Sequence, residues 1–124
     1  MEDNKHVSIA QNSGAYAWLF QRITGAFLVV LLAVHIWGVH YSGIFLTTKS
    51  VMERIASSWV RFVDLAILLM GLYHGFNGLM IVVFDYVESE KFQKLCFWLF
   101  LIVGTALLIF GAKTLLFLPQ NLMN

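Results

Sequence analysis

Three long apolar runs in a chain of 124 residues predict an all-α membrane protein with three transmembrane helices. Charged residues make up only 12% of the sequence, against about 25% in an ordinary soluble domain. Hydrophobic residues make up 60%, and the mean hydropathy is +0.78. A single proline, Pro119, leaves the apolar runs uninterrupted.

The chain is short enough for one domain, here taken as residues 1–124. Its first fifteen residues, MEDNKHVSIAQNSGA, form a polar tail with charges of both signs. The tail lacks the basic start and apolar core of a cleavable signal, so it is expected to stay on the cytoplasmic side. The first uncharged run is Ile23 to Thr48, between Arg22 and Lys49. The second is Leu65 to Phe84, between Asp64 and Asp85. The third is Leu95 to Ala112, between Lys94 and Lys113. A membrane helix needs roughly 20 apolar residues, which places spans at about 16–45, 61–86 and 93–117. In the connection TTKSVMERIASSWVRFVD, Val51, Ile55, Trp59 and Phe62 recur at helical spacing. They predict a short amphipathic helix on the membrane surface. The second connection, DYVESEKFQK, is a tight charged turn, and Pro119 is expected to break the last helix.

Positive charge does not orient the bundle. Lys5, Arg22, Lys91 and Lys94 face one side, and Lys49, Arg54, Arg61 and Lys113 face the other, a balance on which the positive-inside rule is silent. The net charge of +1 gives no reason to expect a nucleic-acid partner. The single Cys96 excludes an internal disulfide and reads as a small packing residue.

Polar groups inside a bilayer are costly and suggest function. His74 lies near the middle of the second run. With about 100° per residue, Gly71, His74, Gly75 and Gly78 share one face, and Asp85 returns to within about 20° of the histidine. Small residues there let a flat, bulky group approach, and a neutral imidazole in a dry site is a good axial ligand for haem iron. The same features also fit an interhelical hydrogen bond with glycine packing. Arg22 reads either as an interface arginine reaching toward water or as a fixed cation for a carbonyl or propionate. In an antiparallel pair it is expected at the same membrane edge as Asp85 and Tyr86. His35 is thirteen residues beyond Arg22, roughly 20 Å deeper. His40 reads as a wet interface residue and His6 as solvated.

QRITG at the first span and HGFNGLMIVVFDY in the second resemble the membrane-anchor subunits of succinate:quinone oxidoreductase, the succinate dehydrogenase of respiratory complex II. The resemblance covers roughly Tyr16 to Leu118 as architecture and about two dozen positions as motif. It implies three helices that pack with a second membrane-anchor subunit, together with an iron–sulfur subunit and a flavoprotein subunit, in a bacterial or archaeal cytoplasmic membrane. It implies haem b, one or two per assembly, and a quinone substrate, menaquinone or ubiquinone. His74 matches the haem-ligating histidine, with the other ligand coming from the partner anchor. Tyr86 matches the tyrosine that hydrogen-bonds a quinone carbonyl, and Asp85 the residue that orients that site or relays protons. Arg22 matches a residue of the quinone site or a partner of a haem propionate. His35 matches the first-span ligands that two-haem members use for the distal haem. Trp18 departs from the pattern, because many members carry a quinone-binding serine there. Two other readings stay open. One is a haem b subunit of another oxidoreductase in which His35 and His74 bind one haem. The other is a haem-free structural subunit.

Overall fold

The computed structural model describes residues 3–40 and 47–122, with side chains described for 14–38 and 47–117. Four helices follow in order: α1 (Asp3–His40), α2 (Thr48–Ala56), α3 (Ser58–Tyr86) and α4 (Glu90–Leu122). Three stretches are long and apolar enough to cross a membrane: Gly14–Gly38, Ser58–Tyr86 and Glu90–Phe117. The three-span plan with a short extra helix is therefore as the sequence predicts.

Two element ends differ from expectation. α1 is helical from Asp3, so the polar tail is helical from that residue on and continues directly into the first apolar run. α4 also runs three residues past Pro119. A proline forfeits one hydrogen bond to the residue four before it, and so near the end of the helix that loss does not stop the last turn.

α2 is cut shorter than its apolar stripe. Thr47 caps it by accepting from the Ser50 amide at 3.2 Å, while Ser50 Oγ accepts from the Thr47 amide at 3.0 Å. This is a capping box with serine in the place of the usual glutamate. Ser57 is extended and ends the helix. Val51 and Ile55 thus lie on α2, while Trp59 and Phe62 open α3 and stack on each other. At the other end of α3, the Val87 amide donates to Val83 O at 2.9 Å, and Gln93 Nε2 donates to Val87 O at 2.6 Å. These bonds hold the tight turn into α4.

α3 is the central element. It packs against α1 on one side and α4 on the other, and α2 rests on α3 and α4. Contact with α4 is close because glycines face large side chains. A methyl group on Gly104 would stand 3.0 Å from the Phe76 ring, and one on Gly111 would stand 2.8 Å from Leu68. The interior is thin. Among the described residues, only Val63, Met80 and Ser50 are buried. The rest of the apolar surface faces outward, as expected of helices surrounded by lipid or by other membrane helices.

Candidate functional site

His74 is half-buried and turns toward α1. Its Nδ1 lies 3.1 Å from Gln21 O and 3.2 Å from Thr24 Oγ1. A carbonyl oxygen can only accept, so Nδ1 carries the proton and donates. The Thr24 hydroxyl spends its own proton on Phe20 O at 2.7 Å, which leaves its oxygen free to accept as well. Nε2 is then the bare nitrogen, with its lone pair in the ring plane. The nearest polar group to it is the Gln21 amide nitrogen, at a long 3.4 Å.

Gln21 ties this arrangement together. Its Nε2 donates to His74 O at 3.0 Å, and its Oε1 accepts from Asn77 Nδ2 at 2.7 Å. Asn77 Nδ2 also reaches Ala17 O at 3.3 Å. Two glycines make the approach possible. A methyl group on Gly25 would lie 3.1 Å from the imidazole, and one on Gly78 would lie 3.0 Å from the Gln21 amide. Gly71 and Gly75 stand one turn before His74 and one residue after it. A methyl group on either would meet nothing within 4 Å. Open space therefore adjoins the histidine on α3.

These contacts fix the register of α1 on α3. Residues 21–25 lie level with His74, and His35 lies level with Asp64. Arg22 is thus level with His74, and Asp85 lies eleven residues further toward the membrane edge, about 16 Å along α3. The expectation that Arg22 shares a level with Asp85 and Tyr86 is not met. The reason is the register of α1 on α3, which sets residues 21–25 opposite His74 rather than opposite Asp85. The Arg22 guanidinium leans back over the Trp18 ring, 4.1 Å from the centroid, which regains about 6 Å of that distance in a cation–π contact. Asp85 is exposed and Tyr86 is 84% exposed, so neither is engaged by the other described residues.

His35 faces a different partner. Its Nδ1 lies 2.7 Å from Asp64 Oδ1. The two imidazoles stand ten residues apart along α3, about 15 Å. At that separation the two imidazoles do not approach each other within the chain. The side chains of His40 and His6 lie outside the described residues. Cys96 is half-buried and free. Among the described residues no three histidine, cysteine or acidic side chains cluster as a metal site.

Sequence reading missed Gln21, Thr24, Gly25, Asn77 and Asp64. Gln21, Thr24 and Gly25 stand inside QRITG and Asn77 three residues after His74, so the signal was present as a motif. What was missing was the pairing of the two helices. Asp64 was read only as the charge that bounds a span.

Comparison with known proteins agrees with this architecture. Residues 3–117 match the family of succinate dehydrogenase/fumarate reductase transmembrane subunits. A succinate dehydrogenase hydrophobic membrane anchor subunit of Rickettsia felis is 30% identical over 90 residues, covering 68% of this chain and 70% of the relative. One from Archaeoglobus fulgidus is 33% identical over 70 residues, covering 56% and 60%. A succinate dehydrogenase 2 membrane subunit of Mycobacterium tuberculosis is 24% identical over 98 residues, covering 77% and 70%. Three apolar spans, a helix on the connection and a match over nearly the whole length lead to one conclusion: the chain belongs to the succinate dehydrogenase/fumarate reductase transmembrane-subunit family, as a membrane anchor of complex II.

Proposed function

We propose that this chain binds haem b through His74, forms part of a quinone site near Tyr86, and joins a flavoprotein, an iron–sulfur protein and a second anchor subunit in the membrane. The observation that carries this reading is the state of His74. Its Nδ1 proton is held by a backbone carbonyl at 3.1 Å, and its Nε2 is left unprotonated. Metal-binding histidines are generally prepared in this way, with the second nitrogen donating to a carbonyl or carboxylate. The open flank at Gly71 and Gly75 suits a planar macrocycle beside the ring, so the residues present fit a haem.

Each residue has a physical task in this reading. Gln21 O fixes the tautomer and ring orientation. The Gln21 amide stands 3.4 Å from the Nε2 lone pair, and only that long contact would yield to iron, while the bonds to His74 O and Asn77 keep Gln21 in place. Arg22 shares the level of His74, so a haem propionate suits it better than the quinone does. Tyr86, a phenol at the span end, donates a hydrogen bond to a quinone carbonyl. Asp85 beside it passes protons between water and that site. Trp18 supplies no hydroxyl, so such a contact comes from the second anchor subunit. Haem, when bound, adds a one-electron store between the iron–sulfur subunit and quinone. The polar N-terminal segment lies on the cytoplasmic side of a bacterial or archaeal membrane, with menaquinone or ubiquinone as the acceptor. The net charge of +1 favours no nucleic-acid partner.

A second reading has its own support. The bonds of His74 to Gln21 and Thr24 also suit an imidazole that only links α1 to α3. Replacement of His74 by Ala in the purified complex separates the two. The ligand reading expects loss of the b-type haem spectrum, whereas an unchanged spectrum leaves His74 as a link between helices.

A further inference from the structure

We propose that Asp64 is the positioning residue for His35, holding its Nδ1 proton and turning its Nε2 lone pair outward to ligate iron at the far end of the bundle. The proposal rests on the resemblance-based reading of His35 as a ligand of a second haem and adds to it a residue with a defined role.

The geometry comes first. His35 lies within the span Gly14–Gly38 and Asp64 within the span Ser58–Tyr86, so both are ionisable groups inside membrane helices. Such groups are rare and pair with one another. Their contact is 2.7 Å, the length of a charge-assisted hydrogen bond. The pair is not symmetric. Asp64 is 16% exposed, whereas His35 is 37% exposed. The carboxylate is thus the sheltered half and the imidazole the presented half. Among the described residues, His35 makes no hydrogen bond other than the one to Asp64, so Nε2 has no partner within them.

The surroundings narrow the chemistry. The pair forms one wall of a cleft of about 400 Å³ whose other walls include Leu32, Leu68 and Phe110. A carboxylate–imidazole pair also serves as an acid–base couple for a nucleophile, but none is in place here. The nearest hydroxyl of the cleft, Thr114 Oγ1, donates to Phe110 O at 2.9 Å within its own helix. A simple latch between α1 and α3 would satisfy the distance as well, and it would leave the haem content and haem potentials unmoved. A half-buried carboxylate within a membrane helix favours a compensating positive charge. Ferric iron bound at Nε2 supplies that charge across the ring. The carboxylate–histidine–metal arrangement is a general device for orienting a ligand and raising its basicity.

The role has a consequence that packing alone does not. A carboxylate partner makes the imidazole more electron-rich and stabilises the ferric state. Removing the charge raises the midpoint potential of that haem alone. The test uses the whole complex purified through this chain, in the wild type and with His35→Ala, Asp64→Asn and Asp64→Glu. Haem per flavin, the low-spin electron paramagnetic resonance signals and a redox titration are measured in each.

The expected result is two haems in the wild type, one with His35→Ala, and two with Asp64→Asn, one of which titrates at a higher potential. Asp64→Glu should restore that potential toward the wild-type value. A wild type with one haem that survives His35→Ala overturns the His35 reading, and the role of Asp64 with it. Two haems with potentials unmoved by Asp64→Asn overturn the Asp64 role and leave His35 standing. Should Asp64→Asn fail to assemble, the wild-type signal decides. An imidazolate-like low-spin signature on the His35 haem supports the proposal, and a neutral-imidazole signature refutes it.

Discussion

Replacing Gln21 by leucine separates the two tasks that this residue performs. The substitution removes the side-chain amide and keeps the backbone carbonyl. Two hydrogen bonds are lost: Nε2 to His74 O at 3.0 Å and Asn77 Nδ2 to Oε1 at 2.7 Å. A neutral interhelical hydrogen bond in a membrane protein contributes about 0.6 kcal/mol on average, and a typical one in water about 1 kcal/mol. The loss is therefore about 1–2 kcal/mol in the association of α1 with α3, or roughly a five- to thirtyfold change in the equilibrium. Leucine is close in volume to glutamine, so no large cavity adds to the cost. The bond from His74 Nδ1 to Gln21 O survives, and the tautomer survives with it. The complex should therefore retain its haem under mild conditions but lose it at a lower denaturant concentration. The assay is denaturant titration of the detergent-solubilised complex, followed by the haem absorbance band. Loss of haem under native conditions would refute the assignment of ligand orientation to the backbone carbonyl. An unshifted midpoint would refute the role of the amide as a link between helices.

Two further outcomes are expected. Tyr86→Phe should lower kcat/KM for quinone reduction about tenfold, the value of one hydrogen bond to the carbonyl of the reacting ring. Electron transfer from succinate to a soluble dye should be unchanged, and an equal drop in both activities would place Tyr86 outside the quinone site. Gly75→Leu fills the clearing beside His74, where a methyl group meets nothing within 4 Å in this chain. It should leave insertion of the chain in the membrane intact and abolish haem incorporation, read as haem per flavin. Full incorporation would show that the clearing is not where the macrocycle lies.

The three spans were legible because composition dominates the choice of solvent. A run of about 20 apolar residues has few alternatives to crossing a bilayer. The helix ends were less legible for a related reason. Charge at Arg22 suggested an edge, but an arginine side chain reaches several ångströms along its helix, and here it folds back over Trp18. The periodicity of Val51, Ile55, Trp59 and Phe62 suggested one amphipathic helix because Ser57, whose extended backbone divides it in two, does not interrupt the apolar spacing. His74 was legible as a candidate from its depth and its glycines. Its partners were not, since helical phase says which residues share a face but not which helix that face meets. Gln21 and Asn77 are fifty-six residues apart in sequence, and only the pairing of α1 with α3 unites them. Asp64 was obscured by its position at the end of an apolar run, where a charge reads as a boundary. Its sheltering by His35 is a property of the pair.

The division of labour around α3 bears on how a second subunit can complete the site. Contacts between α3 and α4 are apolar, such as the Phe76–Phe100 ring pair at 5.6 Å and the fit of Leu68 at Gly111. In a lipid environment such contacts gain little from the hydrophobic effect, and the close fit at Gly104 and Gly111 sets their register. The hydrogen bonds named above instead join α1 to α3, and they do so at two levels about 15 Å apart. One level is His74 with Gln21 and Thr24, and the other is His35 with Asp64. Two fixed levels exclude both sliding and tilting of one helix against the other, because a slip of one residue would move both sets of donors off their acceptors. Both imidazoles thus take their height and ring orientation from within this chain. A ligand that comes from another subunit then has to match positions already set, which reduces the ordering that assembly demands.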